Sequence, residues 1–278
     1  MQIDLHIHTN YSDGTFTPGQ AVEYASKIGI RAISIVDHDT TNGIEEAIQT
    51  GQRLSVEVVP GIELSAEELV PQGQEIHIIG YYIDWKSEPF QKKLLKIREA
   101  RWLRAEKMLK KLSNLGIELK MDDLLQFSNI QSVGRLHVAK ALMNKSHIQN
   151  IKEAFDKYLS PGRPVYEPKL RITPKEAIQD ILELGGIPVI AHPMYGIDKD
   201  ETIVKELVSY GLMGIEVWHP KHSKNIRAYY KDIAKKYKLI ATGGSDCHGP
   251  TDSRGPLMGS ESVPYKCIED LKNALSKK

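Results

Sequence analysis

The chain has little of what marks several large classes of protein. Two of its 278 residues are cysteine, Cys247 and Cys267, which rules out a disulfide framework and points to a reducing, cytoplasmic setting. No stretch approaches the ~18 uncharged apolar residues of a membrane span. The N-terminus shows no charged segment followed by an apolar one, so the expectation is a protein that works as translated. Net charge is only +1, and no global field advertises nucleic acid or an anionic membrane. The glycine turns "GTFTPG" and "ATGGSD" lack the spacing of a phosphate or dinucleotide loop, and no Ser-His-Asp pattern competes.

What is present is an ordinary globular composition, 41% hydrophobic and 26% charged, in a chain long enough for one barrel with an insertion. Short apolar runs at 3–8, 31–38, 55–65, 75–83, 187–192, 214–219 and 239–246 read as strands. Helical patterns lie between most of them, starting after Thr17 and Thr173 and covering 201–210 and 223–237. Strand–helix alternation implies parallel pairing with helices outside, and seven strands suffice to close a barrel. The link between the third and fourth strands reads as a hairpin, so the barrel should be irregular.

Residues 86–165 break this rhythm. Leu95, Trp102, Ala105, Leu109 and Leu112 recur at helical spacing, with ten Lys or Arg between Lys86 and Lys111. Further helical pieces follow at 121–127, 134–145 and 150–159. The expected organisation is therefore a first barrel part at 1–85, a helical insertion at 86–165 and a second barrel part at 166–278. The basic face reads either as a solvated helix surface or as a contact for phosphorylated substrate or RNA.

Candidate chemistry gathers at strand ends. In "DLHIHT", Asp4, His6 and His8 alternate with apolar residues, so both imidazoles leave one face of an extended segment. Alone, such a pair is as readily a chance polar face as a ligand pair. The other strand ends add Asp37, His38 and Asp39, then Glu63, His77, His192, and Asp246 with His248; Asp13 follows the first strand. A donor set of His, Asp and Glu without cysteine suits manganese, iron or zinc in a catalytic role. Glu63, in the middle of the set, is the natural bridge between two cations. Cys247, between two candidate ligands, should point away from them.

The segments "DLHIHTNYSDG", "ISIVDHDT", "VVPGIELSA", "IHIIGYYID", "IPVIAHP" and "GGSDCHG" resemble the successive motifs of the PHP (polymerase and histidinol phosphatase) superfamily. The resemblance is closest to its stand-alone metal-dependent phosphoesterases, which include 3′,5′-nucleotide bisphosphatases and 5′-to-3′ exoribonucleases. It implies an α/β fold, a distorted (β/α)7 barrel with a small helical domain inserted between strands four and five. It implies two to three divalent metals, with manganese first and iron or zinc as alternatives. His6, His8, Glu63 and Asp246 would hold one; Asp13, His38 and His248 a second; Glu63, His77 and His192 a third. "SVGRLHVAKAL" resembles a segment that brings Arg135 and His137 to phosphate, although Leu136 stands where proline is usual.

The implied activity is hydrolysis of phosphomonoesters by a metal-bridging hydroxide: the 3′-phosphate of nucleoside 3′,5′-bisphosphates, and short 5′-phosphorylated RNA. Glu63, Arg135, His137 and His222 are the expected catalytic residues. Arg135, His137, His219 and His222 are expected at the substrate, with His222 preferred to His219 as donor to a leaving group. Asp37 should orient a ligand, and His147 should be a surface residue. Histidinol-phosphate phosphatase is the alternative enzyme, and a non-catalytic metal-stabilised module the alternative class. The expected partner is a small phosphorylated nucleotide or short RNA, with no membrane and no obligate protein partner.

Overall fold

A computed structural model describes all residues except 1, 68–74, 128–132, 169, 171, 251–254 and 278. The barrel begins with β1 (Gln2–Ile7), α1 (Pro18–Lys27), β2 (Ala32–Ile35), α2 (Ile44–Leu54), β3 (Glu57–Glu67) and β4 (Glu75–Tyr81). A helical run follows: α3 (Glu88–Ser113), α4 (Met121–Leu125), α5 (Arg135–Asn144) and α6 (Ile151–Ala154), the last continued by a π-helical turn at Phe155–Leu159. The barrel resumes with α7 (Pro174–Glu183), β5 (Ile187–Ile190), α8 (Pro193–Gly196), α9 (Glu201–Ser209), β6 (Gly214–Trp218), α10 (Lys224–Tyr237) and β7 (Ile240–Gly243). It ends with β8 (Val263–Pro264) and α11 (Lys266–Leu275).

Local chemistry explains the helix starts. Thr17 accepts from the Gln20 backbone N–H at 3.1 Å while the Gln20 side chain accepts from Thr17 N–H at 2.9 Å, with Pro18 in the first turn. Thr173 and Glu176 make the same reciprocal cap on α7.

The strands lie in the order β7-β6-β5-β4-β3-β2-β1-β8. β1, β2 and β3 pair in parallel, as do β5, β6 and β7, whereas β4 is antiparallel to both neighbours. An isolated bridge between Ile7 and Cys247 draws the chain after β7 back to β1, and the sheet nearly closes into a barrel. Gly244 permits that seam, since a Cβ there would lie 2.4 Å from the His6 backbone nitrogen. The strand count differs from the seven expected: β8, two residues long, pairs antiparallel with β1 and is too short to carry a periodic signal. α2 and α11 likewise go beyond the sequence-based expectation.

Apolar faces of β3 to β7 pack against α7, α9 and α10 around Ile178, Ile215 and Ile233. The helical run between β4 and β5 has an apolar cluster of its own, including Ala105, Met108, Leu124, Leu142 and Val165. One expected core position is corrected here. Leu95 is 47% exposed and Leu94 is fully buried, because the inner face of α3 runs through Phe90, Leu94, Ile97, Ala105, Met108, Leu109 and Leu112.

Candidate metal centre

The alternation on β1 sorts its side chains. Ile3, Leu5 and Ile7 enter apolar clusters, and Asp4 and His6 face the other way, all of them buried. Asp4 accepts from the backbone N–H groups of Ser245 (2.8 Å), Gly259 (3.2 Å) and His6 (3.3 Å), which ties β1 to the loop after β7. That loop carries Asp246 and His248. His77 reaches the same end of the barrel from the beginning of β4, not from a strand's C-terminal end. β4 runs antiparallel, and its register sets His77 opposite Ser65, just beyond Glu63 on β3.

Nine side chains converge. Nε2 of His6 lies 3.1 Å from Nε2 of His8, 3.5 Å from Oε2 of Glu63 and 3.4 Å from Oδ1 of Asp246. Nε2 of His8 lies 3.2 Å from that Glu63 oxygen and 3.3 Å from that Asp246 oxygen. The other Glu63 oxygen, Oε1, meets His77 Nδ1 at 3.0 Å and His192 Nε2 at 3.1 Å. Asp13 stands 3.3 Å from His248 Nε2 and 3.8 Å from His38 Nε2. His38 also approaches Glu63 Oε2 through Nδ1 at 3.3 Å, and His8 approaches Asp13 through Nδ1 at 3.8 Å. Four compact donor groups result: His8, Asp13, His38 and His248; His6, Glu63 and His192; His6, His8 and Asp246; His38, Glu63 and His77.

The spacing fits divalent cations. Four tetrahedral donors about 2.1 Å from a common centre stand about 3.4 Å apart, close to the separations around His6, His8, Glu63 and Asp246. Asp13 Oδ1, Glu63 Oε2 and the Nδ1 atoms of His8, His38 and His192 are buried without a hydrogen-bond partner among the described residues. Buried polar atoms left so are rare unless an ion or water completes them. Burial alone would raise the Glu63 carboxyl, but His38, His77 and His6 hold it well below the usual carboxylate range. Burial likewise opposes ionisation of Asp13, and the imidazoles of His248 and His38 hold its carboxyl well down. His38 is pushed down to about 4, mainly by burial, and so is neutral near pH 7.

A buried framework holds the ligands. Glu216 on β6 stands 3.0 Å from His6 Nδ1 through one oxygen and accepts the His192 backbone N–H at 2.7 Å through the other. Asp37 accepts from Thr9 N–H (2.7 Å), Thr9 Oγ1 (2.6 Å) and Ser12 Oγ (2.6 Å). It organises the loop that carries Asp13, in line with the expectation that Asp37 orients a ligand. His192, Asp246 and Asp39 have φ of 25°, 51° and 53°, left-handed values that non-glycine residues adopt at a cost.

A cavity of about 180 Å³ opens at this centre, with Asp13, His38, Glu75 and His77 on one side. Arg101 and Arg104 from α3, and Arg135 and His137 from α5, also line it. Arg135 donates to Glu75 Oε1 at 3.2 Å, and Glu75 Oε2 stands 3.3 Å from His77 Nε2. His137 Nδ1 accepts the Gly134 backbone N–H at 3.0 Å, so its proton is on Nε2, a buried atom with no partner among the described residues. Burial lowers the His137 imidazole to about 4.

Other expected residues fall elsewhere. His219 Nε2 lies 3.4 Å from Asp246 Oδ2, and its ring packs against those of His192 and Tyr195. His222, preferred from sequence, sits one ring further back. Its Nδ1–H donates to the Val217 carbonyl at 3.0 Å and its ring meets His219 and Tyr230; neither His219 nor His222 is part of the cavity lining. The turn after β6 folds His222 inward against α10 and leaves His219 nearer Asp246. His147 is exposed, and Cys247 is buried in the apolar cluster beside Ile7. Sequence reading missed Asp4, Glu75, Arg101, Arg104 and Glu216. A lone acid in the apolar strand "GIEVW" is a signal that could have found Glu216; Arg101 and Arg104 were hidden in a basic helix.

A family model described as "PHP domain" matches residues 4–162. The chain is 31% identical to a 3′,5′-nucleoside bisphosphate phosphatase of Chromobacterium violaceum over 272 residues, covering 95% of this chain and 93% of the relative. It is 31% identical to the 5′-3′ exoribonuclease Rnm of Salmonella typhimurium, covering 89% and 85%. Its fold superposes on a structure described as a metal-dependent phosphoesterase from Bifidobacterium adolescentis with a TM-score of 0.84 and 29% identity, covering 97% and 94%. The model's span includes His6, His8, Asp13, His38, Glu63 and His77, and the relatives align nearly end to end: the chain belongs to the PHP domain family.

Proposed function

We propose that this phosphoesterase releases the 3′-phosphate of nucleoside 3′,5′-bisphosphates, with short 5′-phosphorylated RNA as a second substrate, and that manganese is its native metal. One observation carries the reading: buried Glu63 divides its two oxygens between separate sets of imidazoles at a cavity whose lining bears three guanidinium groups. The printed activities of the bisphosphate phosphatase and the exoribonuclease support the same substrate class.

In this reading His6, His8, Glu63 and Asp246 hold one cation; Asp13, His38 and His248 hold a second; Glu63, His77 and His192 hold a third. Divalent cations there supply Lewis-acid stabilisation of phosphoryl charge and bring a water's pKa toward neutrality. The chain's own groups do the rest. Arg135 presents its guanidinium to the phosphate, steadied by Glu75, and His137 donates from Nε2 as a neutral imidazole. Glu216 keeps the His6 proton on Nδ1, so Nε2 faces the centre with its lone pair free. In this reading His219 serves the leaving oxygen, which its position 3.4 Å from Asp246 supports.

Residues 86–165 act in this scheme as an inserted unit between barrel parts 1–85 and 166–278. The separate apolar cluster from Ala105 to Val165 supports that division, as does the supply of Arg101, Arg104, Arg135 and His137 to the cavity, while Phe90, Leu94 and Ile97 tie the first half of α3 to the barrel's own cluster. Two free, buried cysteines accord with work in the cytoplasm.

The test is a substrate panel. Chelated protein reloaded with manganese is given adenosine 3′,5′-bisphosphate, a 5′-phosphorylated RNA trinucleotide and histidinol phosphate. Fastest phosphate release from the bisphosphate is expected, with measurable RNA cleavage. Preferred hydrolysis of histidinol phosphate would contradict the proposal.

A further inference from the structure

Tyr195 is 49% exposed, whereas every other phenylalanine, tyrosine and tryptophan of the chain is buried or half-buried. One exposed ring needs no explanation by itself; its position decides. Tyr195 belongs to none of the apolar clusters, so the core does not call for it. It stands instead beside the metal centre, its ring centroid 5.7 Å from that of His192 and 6.1 Å from that of His219.

The ring is held in place. Pro193 opens the four-residue helix α8 directly after His192, and the Tyr195 backbone N–H donates to the His192 carbonyl at 3.0 Å. Both ring contacts are edge-to-face, with interplanar angles of 69° and 85°. Tyr195 does not line the cavity beneath α3 and α5, and neither do His192 and His219. The centre therefore has a second flank. A 3′-phosphorylated mononucleotide ends at the phosphate to be cleaved, whereas an RNA strand continues beyond it.

We propose that Tyr195 is the stacking platform for the base that follows the scissile phosphate in short RNA. This rests on the RNA activity proposed above and names the residue that sets RNA apart from a mononucleotide. Every base has a π-face, so such a contact supplies affinity without sequence preference. A ring fixed beforehand by its backbone and two imidazoles loses little freedom when a base stacks on it.

The experiment gives manganese-loaded protein adenosine 3′,5′-bisphosphate, 5′-phosphorylated diadenylate, and the same dinucleotide lacking its second base. Wild type should favour the intact dinucleotide over the abasic one by about tenfold in kcat/KM. Tyr195→Ala should bring the intact dinucleotide down to the abasic level, mainly through KM, and alter the other two substrates less than about twofold. Tyr195→Phe keeps the ring and should match wild type on all three. Wild type indifferent to the missing base, or equal losses on every substrate in Tyr195→Ala, would overturn the inference. So would a Tyr195→Phe protein as impaired as Tyr195→Ala, since the hydroxyl and not the ring would then matter.

A second readout needs no turnover. A 5′-phosphorylated dinucleotide with uracil first and fluorescent 2-aminopurine second is titrated with chelated protein. Its emission should fall with wild type and Tyr195→Phe and hold steady with Tyr195→Ala. Steady emission with wild type would overturn the inference. Wild type that cleaves none of the substrates yet quenches the probe would refute the proposed reaction and leave the platform standing.

Discussion

His6 Nδ1 lies 3.0 Å from a Glu216 oxygen, and both side chains are fully buried. The carboxylate fixes which ring nitrogen carries the proton and aims the other at Glu63 and Asp246. Glu216→Ala should therefore weaken metal binding by roughly 10- to 100-fold although Glu216 is not itself a proposed ligand. Competition with a fluorescent chelator measures this directly, and unchanged affinity would remove Glu216 from the account.

Glu63 serves two donor sets at once, so its loss should exceed that of a single-set ligand. Glu63→Gln is expected to lower kcat by at least about a hundredfold and to reduce bound metal. His147→Ala, at an exposed position, should keep activity near wild type. Phosphate release by the two variants side by side checks the placement of the centre.

His137 makes stability depend on pH. Its folded-state pKa of about 4 lies below the ~6.5 of an unfolded histidine, so the unfolded chain binds the extra proton. The folded state is therefore penalised as pH falls through 6.5 toward 4, by about 2 kcal/mol already at pH 5. His6, His8 and His77 are raised and act with the opposite sign over the same range. The penalty is therefore read from the pH 7-to-pH 5 change in urea stability of chelated wild type set against that of a variant. It should shrink in His137→Gln, which has no group to protonate there.

Lys92, Lys96 and Lys110 are exposed on α3. If this face guides longer RNA, replacing all three by glutamine should slow oligonucleotide cleavage much more than mononucleotide hydrolysis. The logarithmic salt dependence should flatten by about 2 units. Equal slowing of both substrates at every salt concentration would make the face scaffold only.

Much of the site was legible because parallel strands deliver their ends to one rim, so His6, His8, His38, Glu63, His192 and Asp246 could be gathered by reading the ends of the strand patterns in turn. His77 was also anticipated, but its route was not. An antiparallel strand places its first residues at the mouth, and strand direction depends on pairing partners that local sequence does not display. The order of His219 and His222 depended on a turn that packs His222 against Tyr230. Arg101 and Arg104 look like neighbouring lysines until α3 is seen lying across the mouth. Leu94 and Leu95 differ by one step of helical phase, which a 26-residue helix with leucines at both positions leaves open.

The central claim is a multinuclear metal centre shared through Glu63. Elemental analysis of protein reloaded with manganese and freed of excess ion tests it most directly. The account predicts two to three equivalents per chain in wild type and fewer in Glu63→Gln. Less than one equivalent of manganese, zinc or iron in wild type, with no phosphate release on adding any of them, would contradict it.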